Sequence, residues 1–403
     1  MKPLSAAELA QRRDEIYATS FAPDLSGARS VGAEVELLAL DVATRKPLAL
    51  VDGALPLIRL LRRYGAEAGW TEFAGYDGTV RFDAPGSGII SFEPGGQIEL
   101  SSMPSSSVSE LARQLRAFVV PLRERLLSEG AELVSIGIDP YNDANDIPMQ
   151  LPVDRYERMT RHFESIGPFG IRMMRQTAAI QVSIDRGETP ARRWRLLNDL
   201  APYLIAIFAN SSQYRGEDTG HQSFRAQCWR QLDPSRTGMA EPSDDPAAAY
   251  VRFATGASDI VGTDWASHLT TLFPEVRPRG HYEVRSCDAV DPRWYAAPIV
   301  FISALAYDER SANEAALLAS DSRALLRTAG ERGMHDPAIA RTSRDLFQLA
   351  LDGATRLGPS FIDAETLAIA AEFYSTFTAR DRSPADDANF SRMRTVRSRS
   401  SRV

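Results

Sequence analysis

Lysine is almost missing from this 403-residue chain: of its 46 basic residues only Lys2 and Lys46 are lysines. Both stand near the amino end, outside any glycine-rich stretch that could cradle a phosphate. A Walker-type loop requires GxxxxGK, and a protein-kinase site requires its strand lysine. Pyridoxal phosphate chemistry requires a lysine for the Schiff base. The chain argues against all three, although a GC-rich genome is explanation enough for the arginine count. Any phosphate handled here falls to arginine and metal ions. Cysteine is equally scarce. Cys228 and Cys287 form no CxxC pair, which fits a reducing compartment and two small buried hydrophobes rather than a nucleophile. No apolar run approaches the roughly 18 to 20 residues of a membrane span. The first residues lack the basic-then-apolar order of a secretory signal. A cytoplasmic protein without membrane partners is expected. No GxGxxG follows a strand, so a dinucleotide fold has no support. The net charge of −7 argues against nucleic acid as a main partner.

What the chain does contain is a set of short segments that read as strands with their polar side chains on one face. Successive strand residues point to opposite faces, so residues two apart share one. In VGAEVELLAL, Val31, Ala33, Val35 and Leu37 oppose Glu34 and Glu36. In GGQIELS, Gln97 and Glu99 oppose Ile98 and Leu100, with Glu93 just upstream. In AAIQVSID, Gln181, Ser183 and Asp185 oppose Ile180, Val182 and Ile184. In HYEVRSCD, Glu283 and Arg285 oppose Tyr282, Val284 and Ser286. Glutamate is disfavoured in strands and like charges repel, so this many on one face calls for a cation. Oxygen-only ligands without a Cys/His cluster suit Mg2+ or Mn2+ rather than zinc. Glu36 taken alone would more often be a solvent-facing residue; the set carries the weight. It points to a metal-nucleotide enzyme.

Ser5 and Glu8 form a capping box that opens an amphipathic helix over 5–18. VDGALPLIRLLRRYGAEAG predicts a helix ending near Gly65 or Gly69. The stretch from YDGTV to PGSGIISFEPGGQIELSS predicts short strands joined by tight turns. Within it, Gly95 and Gly96 allow a turn and a close backbone approach to a ligand. Ser107 and Glu110 form a second capping box for a helix that closes at Gly130 with a kink at Pro121. LVSIGIDP reads as a buried strand, DIPMQLPVDRYERM as a loop entering a helix, and 189–212 as an apolar helix broken around Pro202. From 293 to 378 the spacing is helical, with no strand candidate. One large domain or two fused lobes are both open for 1–380, and a polar, disordered tail is expected over 381–403. Residues 392–403 hold five arginines and no acid, and a solvated end outweighs a nucleic-acid arm. Strands and helices mixed through the first 290 residues, then helices alone, predict an α+β fold with an antiparallel sheet.

EPGGQIELSS, IPMQLPVDRYERM and GPFGIRMMRQTAAIQVSID, followed by FANSSQYRGEDTGHQSFRAQCW, SRTG and DWASHLTTLFPEVRPRGHYEVRSCDA, resemble in order the blocks of the glutamate–cysteine ligase family of the plant and proteobacterial type. They cover residues 30 to 305. PRGHYEVRSCDA and the absence of the plant disulfide cysteines look closer to the bacterial branch that includes the ergothioneine-pathway enzyme. The resemblance implies a strongly curved antiparallel sheet forming a funnel with helices outside, related to glutamine synthetase, with a helical C-terminal region. It implies a single catalytic domain over 1–380, that of an ATP-dependent ligase of glutathione or ergothioneine biosynthesis. ATP phosphorylates the γ-carboxylate of L-glutamate, and the amine of L-cysteine attacks the acyl phosphate to give γ-glutamylcysteine. A different amine or amino acid as acceptor stays open beside it.

Carried over position by position, the resemblance makes Glu34, Glu36, Glu93, Glu99, Gln181 and Glu283 the ligands of two or three Mg2+ ions, Mn2+ being an alternative. Arg285 would meet the transferring phosphoryl group and, with Gln97, the ATP. Arg225 would meet the substrate glutamate or the acyl phosphate, with Thr177 and Arg175 as further substrate-binding residues. Trp229, Met173 and Met174 read as core. Two departures bear on the substrates. Plant enzymes place an arginine immediately before the threonine of the MM block, whereas here Gln176 holds that place and Arg175 lies one earlier; on a strand that shift reverses the face. A long plant insert is also missing, AAAYVRFATGASDIVGTDW spanning its place directly, so part of the wall around the acceptor amine is gone. The expected partners are small molecules, and the protein is a monomer or homodimer.

Overall fold

The computed structural model describes residues 4–262 and 264–387; residues 388–403, most of the expected tail, lie outside the described residues. The axis of the molecule is an eleven-residue strand, β1 (Val31–Asp41). Its first half alternates buried apolar residues with half-buried Gly32, Glu34 and Glu36, and from Leu37 to Leu40 every residue is buried. Alternation marks a strand with one packed and one open face, and the continuous run marks cover on both sides. Eight further strands join it: β2 (Thr71–Ala74), β3 (Val80–Ala84), β4 (Gly88–Phe92), β5 (Ile98–Ser102), β6 (Ala131–Val134), β7 (Ile180–Ile184), β8 (Val276–Pro278) and β9 (Tyr282–Val284). They form one antiparallel sheet in the order β8-β9-β7-β1-β5-β4-β3-β2, with β6 on the far half of β1.

The apolar face of this sheet is buried under three helices. Val35, Leu37, Leu100, Ile180 and Val182 share a core with Leu111 and Leu115 of the helix Val108–Ser128, Leu197 and Leu204 of the helix Pro190–Ile207, and Ile299 and Ile302 of the helix Ala296–Tyr307. In chain order the helices that matter are α1 (Ala6–Ile16), α2 (Leu57–Ala68), α3 (Val108–Ser128), α4 (Asp154–Ile166), α5 (Pro168–Gln176), α6 (Pro190–Ile207), α7 (Phe224–Gln231), α8 (Ala296–Tyr307), α9 (Pro337–Leu357) and α10 (Ala364–Thr376). No described strand follows Val284, as the helical spacing predicts. No described helix is long and apolar enough to cross a membrane.

Several local expectations are corrected. α6 runs unbroken through Pro202; burial from Leu200 to Ile207 holds it where the missing N–H of proline would weaken a solvated helix. α3 holds Pro121 inside its span, where the sequence places it. Its second capping box is only half made: Ser107 Oγ accepts from Glu110 N (3.3 Å), while the Glu110 carboxylate accepts from Ser105 Oγ (3.4 Å). The strand read in LVSIGIDP ends at Val134, because Gly137 is pressed against Asp288; a Cβ there would lie 2.5 Å from the carboxyl carbon. Residues 384–386 form a short turn whose Ala385 N donates to Ala209 O (2.8 Å), so packed chain continues past residue 380.

Candidate active site

Strand register assembles the polar face into rows. Glu36 of β1 is paired with Glu99 of β5, and Glu99 with Ser91 of β4. The next row runs Gln181 of β7, Glu34 of β1, Ser101 of β5. A third runs Arg277 of β8, Glu283 of β9, Ser183 of β7, Gly32 of β1. Neighbours within a row sit about 4.8 Å apart, so residues far apart in sequence become adjacent. Glu93 joins from the EPGG turn, closed by Gly96 N donating to Glu93 O (2.8 Å), with Gly96 at φ +88°. Carboxylate oxygens of Glu36, Glu93 and Glu99 lie within 4.8 Å of one another.

That crowding has an electrostatic consequence. Burial, reinforced by each other's charge, pushes Glu36, Glu93 and Glu99 up to about 7 and Glu34 up to about 8. The negative charge here is under-compensated by the protein's own groups. Glu36 is held by Gln181 Nε2 (2.8 Å) and Ala179 N (2.8 Å), and Glu99 by Ser91 Oγ (2.8 Å). Gln181 Oε1 is buried with no donor among the described residues, an arrangement that suits a cation. Glu283 behaves oppositely. Burial would raise it, but Arg285, which hydrogen-bonds it, and Arg277 (3.2 Å) hold it down to about 2.

The arginines cluster at the β9 edge. Trp229 of α7 is the plate between them: the guanidinium carbon of Arg225 lies 4.8 Å, and that of Arg285 5.2 Å, from its ring centroid. Trp229 is also core, and its Nε1 donates to Phe273 O (2.9 Å). Arg225 Nη2 donates to Arg285 O (2.9 Å), while its Nη1 lies 3.8 Å from Asp288 Oδ1. Asp288 in turn accepts from Asn210 N, Ser211 Oγ and Ser223 Oγ (2.6 to 2.9 Å) and ties three loops to the base of Arg225.

Three expected site residues make contacts within the protein. Gln97 is buried, its Oε1 accepting from Gly95 N (3.0 Å) and its Nε2 donating to Thr177 O (3.0 Å). Thr177 Oγ1 donates to Met173 O (2.7 Å), and Arg175 Nη1 donates to Ile147 O (3.0 Å). Arg175 and Gln176 belong to the last turn of α5 rather than to a strand, so the face-reversal argument does not apply to them. Gln176 is fully buried and donates to Asn142 O (2.8 Å). The close approach of Gly95 is to the protein: a Cβ there would lie 2.1 Å from Arg175 O. Residues missed from sequence include Arg277, Asp288, and the pair Arg155–Tyr156 at the start of α4. Arg155 stacks 4.5 Å over the Tyr156 ring, and both stand near Glu93. The alternation ending in FPEVRP could have exposed Arg277; nothing local marks the others.

The sequence profile of glutamate-cysteine ligase family 2 (GCS2) matches residues 30–343. The chain belongs to that family. Glutamate–cysteine ligase A, chloroplastic, of Oryza sativa subsp. japonica is 28% identical over 374 residues, 81% of this chain and 75% of that one. Glutamate–cysteine ligase EgtA of Mycolicibacterium smegmatis is 32% identical over 340 residues, 75% of this chain and 78% of that one, in line with the bacterial likeness of PRGHYEVRSCDA. The solved glutamate–cysteine ligase (gshA) of Francisella tularensis in complex with AMP superposes with a TM-score of 0.56 at 14% identity. The match covers 89% of this chain and 83% of that one, which shows a shared fold, the α+β architecture with an antiparallel sheet. Within the GCS2 family match lie all the carboxylates and arginines of the face just described.

Proposed function

We propose that the protein joins the γ-carboxylate of L-glutamate to the amine of L-cysteine at the expense of ATP, through a γ-glutamyl phosphate. The observation that carries this reading is the juxtaposition of under-compensated carboxylates, Glu36, Glu93 and Glu99, with Arg225 and Arg285 on one open sheet face. A diacid and a triphosphate repel each other. A site that unites them needs cations, and it needs carboxylates to hold those cations. Glu36, Glu93 and Glu99 would hold one divalent ion. Glu34, which feels the charge of Glu283, would share a second with Gln181 and Glu283. Bound Mg2+ neutralises phosphate charge and orients the oxygens that exchange the phosphoryl group. Arg285 presents planar donors to the transferring group and Arg225 to the amino-acid substrate.

ADP release that requires glutamate, an acceptor and Mg2+ tests the reading, with products identified by mass. Fastest release with cysteine supports it. Faster release with another amine moves the assignment to a different γ-glutamyl ligase, and no release with any acceptor overturns it.

A further inference from the structure

Glu275 faces the site, and the reaction as described leaves it without a task. The pairing of β8 with β9 sets Arg277 opposite Glu283, and Arg285 N donates to Glu275 O (2.9 Å), continuing that ladder by one step. Glu275 therefore shares the open face with Arg277 and stands beside Arg285. The residue is 5% exposed. Ser286 Oγ donates to Oε2 (2.7 Å), while Oε1 carries no hydrogen bond or ion pair among the described residues. The guanidinium groups of Arg225, Arg230 and Arg285 are close enough to act on its charge, yet each is bonded elsewhere: Arg225 to Arg285 O, Arg230 to Leu326 O, Arg285 to Glu283. A carboxylate only 5% exposed with one oxygen still able to accept is a ready partner for a cation. The arginines have the complementary need, because Nε of Arg225 and Nε of Arg285 are buried without acceptors. A carboxylate and two guanidiniums with free bonding capacity, walled by the Trp229 indole, match an ammonium and a carboxylate on one carbon.

We propose that Glu275 receives the α-ammonium group of the amino acid whose side-chain carboxylate is activated, with Arg225 taking its α-carboxylate. The assignment rests on the ligase reading above and extends it to substrate choice. The zwitterionic end docks at Glu275 and Arg225, and the side-chain carboxylate points along the face toward Glu36, Glu93 and Glu99. A diacid without an amine leaves Glu275 buried and unpaired, so discrimination arises from an unanswered charge.

The test compares glutamate with glutarate, the same diacid without the amine, in the full chain with Mg-ATP and cysteine, following ADP release. Wild type is expected to prefer glutamate by about a thousandfold or more in kcat/KM. Glu275→Gln is expected to raise KM for glutamate about a hundredfold, leave KM for ATP within about twofold, and narrow the preference over glutarate to about tenfold. Should that variant fail to fold, Glu275→Asp, which keeps the charge and shortens the arm, reads the same ratio and is expected to narrow it too. Equal losses for both diacids, or an unchanged ratio, overturn the proposal and leave the ligase reading standing. Absence of glutamate-dependent ADP release from wild type with every acceptor overturns that reading and this assignment with it.

Discussion

Glu36 receives two hydrogen bonds, from Gln181 Nε2 and Ala179 N, and shares the oxygen cluster with Glu93 and Glu99. Replacing it by glutamine removes the charge proposed to hold a cation and sets an amide NH2 against those donors. Glu36→Gln is expected to lower the ADP-release rate by about a hundredfold or more and to weaken the rise in melting temperature given by Mg2+. Gly95 is a residue of a different kind. With Arg175 O only 2.1 Å from its would-be Cβ, and that atom belonging to backbone, Gly95→Ala forces the EPGG turn away from α5. A loss of about 2 to 4 kcal/mol is expected, read as a lower urea midpoint with an unchanged slope. Gln97, Thr177 and Arg175 show where residue-scale reading stops. Each sits in a motif block and also makes a contact within the protein: Gln97 joins the EPGG turn to the end of α5, Thr177 bonds back onto α5, and Arg175 reaches the loop at Ile147. Which task a polar side chain performs depends on where its partners fold, 80 residues away in the case of Gln97.

At the scale of the sheet, the four raised carboxylates act together. Their unfolded values lie near 4.5 and their folded values near 7 to 8. Between those limits the folded state binds more protons than the unfolded chain, so stability falls as pH rises. The metal-stripped protein is expected to lose melting temperature from pH 5.5 to pH 8.5. Because a bound divalent ion displaces those protons, stabilisation by Mg2+ is expected to grow over the same range. A calorimetric series at constant ionic strength checks both; a flat apo profile would contradict the crowding of these acids. Glu283, held near 2, contributes in the other sense, its stabilisation being lost only as pH falls from 4.5 toward 2. The strands that carry this face were legible from their period-2 alternation, and α3 and α6 from their apolar spacing. The continuity of α6 through Pro202 was not, because packing on the sheet outweighs one missing hydrogen bond.

The whole molecule depends on the C-terminal helices even though they lie after the last sheet strand. Phe208 at the end of α6 meets Phe301 of α8 at 6.2 Å and Phe373 of α10 at 5.1 Å, and Phe347 of α9 stacks on Phe373 at 5.9 Å. This cluster fastens the helices behind the apolar face of the sheet. Phe373→Ala empties a fully buried volume and is expected to destabilise the fold by about 3 to 5 kcal/mol. Turnover of the folded fraction is expected to stay within twofold, since no functional side chain is touched; denaturant unfolding and initial rates on the same sample check it.

The sequence by itself determined which residues are polar on a strand, that no lysine could serve a phosphate loop, and that the acids needed a hard cation. Those conclusions follow from local geometry and from side-chain chemistry, which travel with the residue. Only the tertiary structure decided which strands adjoin, and therefore that Glu36 meets Glu99, that Gln97 turns inward, and that Glu275 stands beside Arg285 with an oxygen free. Register between strands distant in sequence is set by the burial of the opposite face, and no run of neighbours along the chain records it.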